Sequence, residues 1–375
     1  MTLERFEKVC RSRHEYAREW KQRTGGKAIG TFCTYVPEEI LYAGGVLPVR
    51  ILGSHEPADD AEPYVFGMFC PFSRDCISQA IRGRYDYLDG TALAQTCLHI
   101  RNTFWAWQKV NPGKFHYYMN FPIKVQSPRA VDFATEEMRI FRKSFEEWLG
   151  RPLEESKIRE AIDLYDENRA LLERIYETRK AENPPLTGSE AMRIVLAGQL
   201  MDKREHNELL RTTLAEVESR NLGRDPGVRL MIVGSEDDDT EFIGYTEDLG
   251  ATIVVDEHCT GTRSFFNRTK PDPDPLRALA LRYIGKPPCP SRDWDARTRA
   301  ESTLRLAKAY NVQGALLVQQ KFCDPHELDI PAIKETLEKN GIPTLFLEFD
   351  VTIPFGQFRT RIEAFLEMIR AEALF

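Results

Sequence analysis

The most constraining feature of this 375-residue sequence is the alternation of short apolar segments with helix-sized segments. Strands separated by long connections favour a parallel sheet, because a parallel crossover needs about a dozen residues or more. We therefore predict an α/β protein with two Rossmann- or flavodoxin-like parallel-sheet domains. The predicted strands are residues 27–33, 47–52, 87–94 and 115–120 in the first half, and 228–233, 251–256, 314–320 and 343–348 in the second.

A helical region separates the two groups of strands. Residues 132–224 are rich in Glu, Arg, Leu and Ala at helical periodicity, with Gly- and Pro-containing breaks at 150–152 and 183–188. The first ~24 residues also have the pattern of an amphipathic helix, which ends at Gly25-Gly26. The predicted organisation is an N-terminal helix plus first α/β domain (1–131), a helical region (132–226) and a second α/β domain (227–375).

Charge and hydropathy exclude several classes of function. Lys and Arg total 51 against 58 Asp and Glu, so the formal charge is −7 and no basic block suggests nucleic-acid binding. Apolar runs such as 315–318 fall far short of the ~20 residues that a membrane helix requires. The charged start, residues 1–8, lacks the apolar centre of a signal peptide. We expect a cytoplasmic protein with no membrane contact.

Nucleotide-binding and hydrolase motifs are missing from the sequence. It contains no Gly-x-x-x-x-Gly-Lys-[Ser/Thr] loop, no Gly-x-Gly-x-x-Gly after a predicted strand and no Gly-x-Ser-x-Gly. If a nucleotide is consumed in the reaction, we expect another chain to bind it.

The eight cysteines are the residues most suggestive of chemistry. Cys33, Cys97 and Cys323 each follow a predicted strand, and Cys70 begins a Cys-Pro segment before a predicted helix. Ligands of parallel sheets gather at the carboxyl ends of strands, and thiolates suit zinc or iron–sulfur clusters. No Cys-x-x-Cys is present, however, so buried inert thiols, a metal or cluster site and a catalytic thiol all stay open. The histidines near cysteines also leave a mixed zinc site open; they are His99, His258 and His326.

One long segment carries a resemblance to a known family. Residues 32–50, Phe-Cys-Thr-Tyr-Val-Pro-Glu-Glu-Ile-Leu-Tyr-Ala-Gly-Gly-Val-Leu-Pro-Val-Arg, resemble the signature of the 2-hydroxyacyl-CoA dehydratase and benzoyl-CoA reductase superfamily. Within it, the length and the start of the chain look most like the C (gamma) subunits of ATP-dependent benzoyl-CoA reductases. Later segments agree in order: 89–97, 250–263, 314–323 and 357–365.

The resemblance implies a 4Fe–4S cluster, held by three cysteines between the two α/β domains. Carried onto this sequence, the ligands are Cys70, Cys97 and Cys323, with Cys76 as a rival for the first position. Cys33 would line the site without ligating. We expect the remaining cysteines to be packing residues, and they are Cys10, Cys259 and Cys289.

The resemblance also implies a function. The chain would be the iron–sulfur subunit of an oxygen-sensitive, heterotetrameric reductase that converts benzoyl-CoA to a cyclohexadiene carboxyl-CoA in anaerobic aromatic degradation. Its partners would be ATP-hydrolysing subunits, reduced ferredoxin and an aryl-CoA thioester. The alternatives are a subunit of a 2-hydroxyacyl-CoA dehydratase, which eliminates water through a radical, and a non-catalytic electron-relay subunit.

Two acids in the signature segment are candidate catalytic residues. Glu38 or Glu39 would hydrogen-bond the thioester carbonyl, or relay a proton if burial raised its pKa. The simpler interpretation is that acids in a first helical turn complement the helix dipole.

Overall fold

The computed structural model describes residues 2–292 and 297–372, which contain two four-stranded sheets. All strand pairs are parallel, which confirms the predicted α/β class with two Rossmann-like units. The first sheet has the order β2-β1-β3-β4, and the second has the order β6-β5-β7-β8. The strands are β1 Lys27–Phe32, β2 Val46–Arg50, β3 Gly90–Ala94, β4 Phe115–Met119, β5 Val228–Gly234, β6 Ala251–Glu257, β7 Gly314–Gln320 and β8 Thr344–Phe349.

Helices connect the strands and fill the central region. Where we predicted one N-terminal helix, two helices meet at Ser12, and Gly25 ends the second in the left-handed conformation with φ 66°. Short 3₁₀ turns lie at Asp59–Ala61 and Thr178–Lys180. The α-helices are α1 Thr2–Arg11, α2 Arg13–Thr24, α3 Glu38–Ala43, α4 Pro71–Ile81, α5 Leu98–Val110, α6 Ala130–Leu149, α7 Glu155–Glu177, α8 Gly188–Leu200, α9 Lys203–Glu218, α10 Thr240–Asp248, α11 Thr262–Phe265, α12 Pro275–Ile284, α13 Arg299–Ala309, α14 Asp324–Lys339 and α15 Phe355–Glu372.

Both sheets use the same strand order, with the first strand of each unit inside the sheet. The chain goes from β1 to one neighbour, β2, and then crosses to the other side of β1 to form β3. The second unit repeats this path with β5, β6 and β7. Such a reversal leaves a crevice at the carboxyl ends of the strands, where α/β proteins bind ligands.

The second sheet is covered on both faces. Along β5, Leu230 and Ile232 belong to a core shared with the first sheet, whereas Met231 and Val233 pack with α7, α8 and α9. This alternation follows from the two-residue repeat of a strand. Because the helical region packs directly on a sheet, the domain boundaries at 131/132 and 226/227 stay predictions.

The carboxyl edges of the two sheets face one another. Arg50 at the end of β2 forms an ion pair with Glu236, just beyond β5. The N–H of Phe72 in α4 donates to Oε1 of Gln320 at the end of β7, at 3.2 Å. Residues that follow the strands of both units therefore border a shared interior. Among residues 2–292 and 297–372, none of the helices has the length and apolar character needed to cross a membrane.

Candidate functional site

Three of the predicted site residues lie at equivalent places in the fold. Cys70, Cys97 and Cys323 are each the residue immediately before a helix: α4, α5 and α14, respectively. Pro71 occupies the first position of α4, where its missing N–H costs nothing and its fixed φ favours the helix. We call Cys70, Cys97 and Cys323 the first triad.

The thiols of the first triad lie close together. Burial raises the pKa of Cys97 well above its usual value, and the next largest causes are the charges of Cys70 and Cys323. Burial likewise raises the pKa of Cys323 to about 12, followed by the charge of Cys70. The structure thus gathers three cysteines that are separated in sequence by up to 253 positions (323 − 70).

Polar groups around the first triad favour thiolates. Oγ of Ser73 lies 3.1 Å from Sγ of Cys70. The backbone N–H groups of Ile100 and His326, three residues into their helices, lower the pKa of Cys97 and Cys323, opposing the effect of burial. Helix N-termini favour negative charge, and metal binding requires deprotonated thiols. We therefore expect the thiols of the first triad to lose their protons and bind a metal cation more readily than thiols buried in an apolar core would.

Three cysteine thiols are a donor set that suits an iron–sulfur cluster. Within residues 2–292 and 297–372, no group of three or more His, Cys, Asp or Glu side chains is placed to hold one metal ion. In an iron–sulfur cluster each cysteine binds a different iron, so the thiolates stand further apart than around a single metal.

The histidines near the cysteines have other partners. Nδ1 of His99 accepts the backbone N–H of Cys70 at 3.2 Å. His326 contacts Nη1 of Arg299 at 2.7 Å, and His258 contacts Oγ1 of Thr260 at 2.9 Å. These contacts do not form the mixed Cys/His zinc site that the sequence left open.

Cys76, the rival for the first position, lies in the second turn of α4 and is fully buried. Burial raises its pKa well above the usual value, and the neighbouring Asp75 carboxylate adds to the effect. Among the thiols, Cys70, Cys323 and Cys33 have the largest effects on the pKa of Cys97. Its position supports Cys70 as the ligand, although the assignment stays a prediction.

Three further cysteines come together next to the first triad. Cys33 follows β1, Cys259 follows β6 and Cys289 lies in the loop after α12. The pKa of Cys259 is raised well above its usual value, mainly by burial, and Cys289 and Cys33 contribute to the rise. We call Cys33, Cys259 and Cys289 the second triad. The packing roles predicted for Cys259 and Cys289 stay predictions; Cys259, like Cys33, closely follows a strand.

Glu39 does not meet the condition that we set for a proton relay. It is fully buried, forms an ion pair with Arg169 and accepts a hydrogen bond from the Tyr283 hydroxyl at 2.9 Å. Burial alone would raise the pKa of Glu39, but Arg169 and Arg282 outweigh it, so the pKa is lowered. Glu39 therefore stays charged and joins α3 to α7 and α12.

Glu38, in contrast, lines a cavity. The cavity has a volume of about 50 Å³, room for one or two water molecules, and Thr34 is part of its wall. Four of its fifteen lining residues are basic and one is acidic, a balance that favours an anion or a polarised carbonyl oxygen. The basic residues in the wall are Arg50, Arg169, Lys203 and Arg282.

Some charged and aromatic residues outside the triads have purely structural contacts. Arg263 is buried against Glu257 at 3.0 Å, so it cannot reach a phosphate at the surface. Arg359 and Glu363 form an ion pair at 2.9 Å on α15. Trp107 is fully buried, as expected for a packing residue.

Comparison with known proteins places this geometry in a family. The model of the 2-hydroxyglutaryl-CoA dehydratase D-component family matches residues 33–369, a span that includes both triads and every strand except β1. The chain belongs to this family. Membership of this family explains why residues 32–50 resemble the signature of the 2-hydroxyacyl-CoA dehydratase and benzoyl-CoA reductase superfamily.

Several curated relatives match over almost their whole length. The (R)-phenyllactyl-CoA dehydratase beta subunit of Clostridium sporogenes is 24% identical over 365 residues, 97% of each chain. The C subunit of the benzoyl-CoA reductase of Thauera aromatica is 25% identical over 340 residues, 89% of this chain and 88% of the relative. The (R)-2-hydroxyglutaryl-CoA dehydratase beta subunit of Acidaminococcus fermentans is 26% identical over 375 residues, 98% of each chain. These relatives are subunits of multi-subunit enzymes, which supports a role in an enzyme complex.

Proposed function

We propose that this chain is the iron–sulfur subunit of a hetero-oligomeric, ATP-dependent benzoyl-CoA reductase in the cytoplasm. The observation that carries the proposal is the convergence of Cys70, Cys97 and Cys323 at three helix N-termini, inside the crevice between two parallel sheets. These thiolates would hold a 4Fe–4S cluster, whose chemistry is one-electron transfer at low potential.

The surface beside the first triad supports a partner subunit. Phe66, Met68, Leu98 and Phe322 lie close in sequence to the three cysteines and expose 76%, 72%, 52% and 44% of their surface, respectively. Exposed apolar residues grouped in this way are typical of protein–protein contacts. A partner bound here would lie near the first triad, a favourable position for electron transfer between subunits. The proposed partners are ATP-hydrolysing subunits, with reduced ferredoxin as the electron donor.

The basic side chains around the cavity support a reaction in which a substrate oxygen gains negative charge, although the cavity itself has room only for such an oxygen or a water molecule. One-electron reduction of a thioester carbonyl gives a ketyl radical anion, which cationic side chains stabilise. Glu38 is the carboxylate in the cavity wall and is the proposed hydrogen-bond or proton-relay residue. Glu39 is proposed to position Arg169 rather than to transfer a proton.

A 2-hydroxyacyl-CoA dehydratase is the second candidate, because two of the relatives described above are dehydratase beta subunits at similar identity. The two reactions differ in their use of electrons. Reduction of benzoyl-CoA to the diene consumes two electrons and two protons in every turnover. Dehydration removes water and returns its electron, so one activation supports many turnovers.

The test uses the complex purified without oxygen together with its native partners. Reduced ferredoxin, ATP and either benzoyl-CoA or a 2-hydroxyacyl-CoA are supplied, and product is measured against electrons and ATP consumed. We expect benzoyl-CoA reduction that stops when ferredoxin or ATP runs out. Water elimination with far less than one electron per product would establish the dehydratase instead. Full-rate reduction of benzoyl-CoA by this chain alone would contradict the hetero-oligomer.

A further inference from the structure

The second triad brings together three segments that are far apart in the chain. Cys33 and Cys259 extend from strands of different sheets, and Cys289 comes from the loop after α12. Burial raises the pKa of Tyr35 well above its usual value, and the charges of Cys289, Cys33 and Cys259 all act on this one phenol. The contacts agree with this proximity: the backbone N–H of Arg292 donates to the carbonyl oxygen of Cys289 at 2.9 Å, and the Arg292 guanidinium lies 3.9 Å from the Tyr35 ring, so the loop with Cys289 packs against the segment that follows Cys33.

Buried cations face the second triad with hydrogen-bond donors to spare. Nη2 of Arg263 donates to Sγ of Cys259 at 3.1 Å. Three further donor nitrogens are buried without a hydrogen-bond partner: Nε of Arg263, and Nε and Nη2 of Arg292. Arg263 is 3% exposed and Arg292 is 1% exposed. Buried donors are almost always satisfied in folded proteins, so these groups need an acceptor that sulfur anions would supply.

The charged side chains around the second triad also favour sulfur anions at this site. The Arg292 guanidinium stacks 3.9 Å from the ring of Tyr35, and Nζ of Lys286 lies 4.9 Å from the same ring. Lys286 also donates to the carbonyl oxygen of Thr34, next to Cys33, at 2.7 Å. Arg263 is already paired with Glu257 at 3.0 Å, so thiolates and sulfides at this site would chiefly balance the buried charge of Arg292.

A residue in the left-handed backbone conformation lies at or next to a cysteine of each triad. Cys33 has φ 60° and Phe322, which precedes Cys323, also has φ 60°. Residues other than glycine rarely adopt the left-handed conformation, because it is energetically unfavourable for them. Where the surrounding structure maintains this conformation, it often directs a side chain into a functional site. At Cys33 it accompanies a contact of the thiol with Oγ1 of Thr96, the residue before Cys97, at 3.5 Å. Cys33 thus connects the second triad to the segment that carries Cys97 of the first triad.

We propose that Cys33, Cys259 and Cys289 form a second thiolate site, which binds an iron–sulfur cluster beside the one held by the first triad. Cysteine thiolates are the usual ligands of iron–sulfur clusters, so a cluster is the class of ligand that fits three convergent cysteines. The second site goes beyond the proposed function and does not depend on which thioester the complex reduces.

The experiment counts iron and acid-labile sulfide per chain in the full-length protein purified without oxygen. Cys259→Ser and Cys289→Ala remove second-triad ligands from two separate segments, and the alanine keeps a small apolar group in case serine impairs folding. Cys70→Ser removes a first-triad ligand. Cys10→Ser is the matched control, because Cys10 lies in α1 and its thiol hydrogen-bonds the carbonyl oxygen of Arg193 at 3.4 Å, away from both triads. Circular dichroism confirms that each variant is folded.

If two sites exist, each single-triad variant keeps about half of the wild-type iron and sulfide. A Cys70→Ser/Cys259→Ser double variant then keeps almost none, and Cys10→Ser keeps all. Electron paramagnetic resonance of the reduced wild type should show coupled spins, which become a simple signal in Cys259→Ser. Full iron in both Cys259→Ser and Cys289→Ala would overturn the second site and leave the proposed function intact. Full iron in Cys70→Ser, with loss in Cys259→Ser, would contradict the first ligand set instead.

Discussion

Cys70, Cys97 and Cys323 are proposed to bind one cluster, so their substitutions should not be additive. Removing any one thiolate leaves two, and a cluster missing one ligand is already unstable. We expect serine at any of the three positions to lower the iron bound at this site sharply, and a second substitution to add little. Iron analysis and visible absorption of single and double variants measure this.

Cys76 is the position that decides the first ligand. Its place inside α4 predicts that Cys76→Ser keeps bound iron and loses only stability, on the order of 1 kcal/mol for a polar group in a buried site. Loss of iron in Cys76→Ser together with full iron in Cys70→Ser would show that the ligand lies six positions further along α4.

His55 predicts a dependence of stability on pH. Burial alone would lower its pKa, but the Asp238 carboxylate 2.9 Å away outweighs burial and raises the pKa to about 10. A raised pKa contributes stability that is complete below the unfolded value of about 6.5 and is lost as pH rises through about 10. We expect His55→Gln to remove this part of the pH dependence, worth about 1 kcal/mol or less because the imidazole is partly exposed.

Urea unfolding of both proteins between pH 6 and 10 measures the effect. Asp237 also titrates in this range, because burial and Asp239 raise its pKa to about 8, but it is present in both proteins. Because the His55 charge lowers the pKa of Asp237, the difference between wild type and variant reports His55 together with its effect on Asp237. Parallel curves for the two proteins would mean that the pair with Asp238 does not stabilise the fold.

Among the elements, α8 has the clearest local stabilising feature. Oγ1 of Thr187 accepts the N–H of Glu190 at 3.1 Å, while the Glu190 carboxylate accepts the N–H of Thr187 at 3.0 Å, forming a capping box. We expect Thr187→Ala to lower the free energy of unfolding by about 1 kcal/mol. Thr212→Ala, on the exposed face of α9, is the control and should change it by less than about 0.5 kcal/mol. Equal losses in urea unfolding would contradict a specific role for the cap.

Element positions were largely predictable, and the exceptions have tertiary causes. The eight predicted strands are all present among the described residues, because apolar runs between turn residues are a local signal. Strand β3 begins at Gly90 rather than at Tyr87. The carboxylate of Asp89 accepts the N–H of Ala28 at 2.8 Å and pairs with Lys21 at 2.7 Å, so this residue is held by side-chain contacts with α2 and β1.

At the scale of the whole molecule, we expect oxygen to inactivate the protein irreversibly with little change of fold. A cluster with three protein ligands leaves one iron open to attack, whereas the two sheets and their helices have buried cores of their own. Circular dichroism and activity before and after exposure to air test this. Extensive unfolding when iron is lost would show that the cluster holds the fold together.

The sequence by itself determined the class of fold, the parallel sheets, the helical region and the cysteines that follow strands. These features are encoded locally, in periodicity and in residues at strand ends. The tertiary structure alone decided which cysteines meet, since Cys259 and Cys289 reach Cys33 only when the two sheets face each other. It also decided that Glu39 stays charged, because its partner Arg169 lies 130 residues away in the chain. Contacts between distant segments depend on how the elements pack, and no local pattern records them.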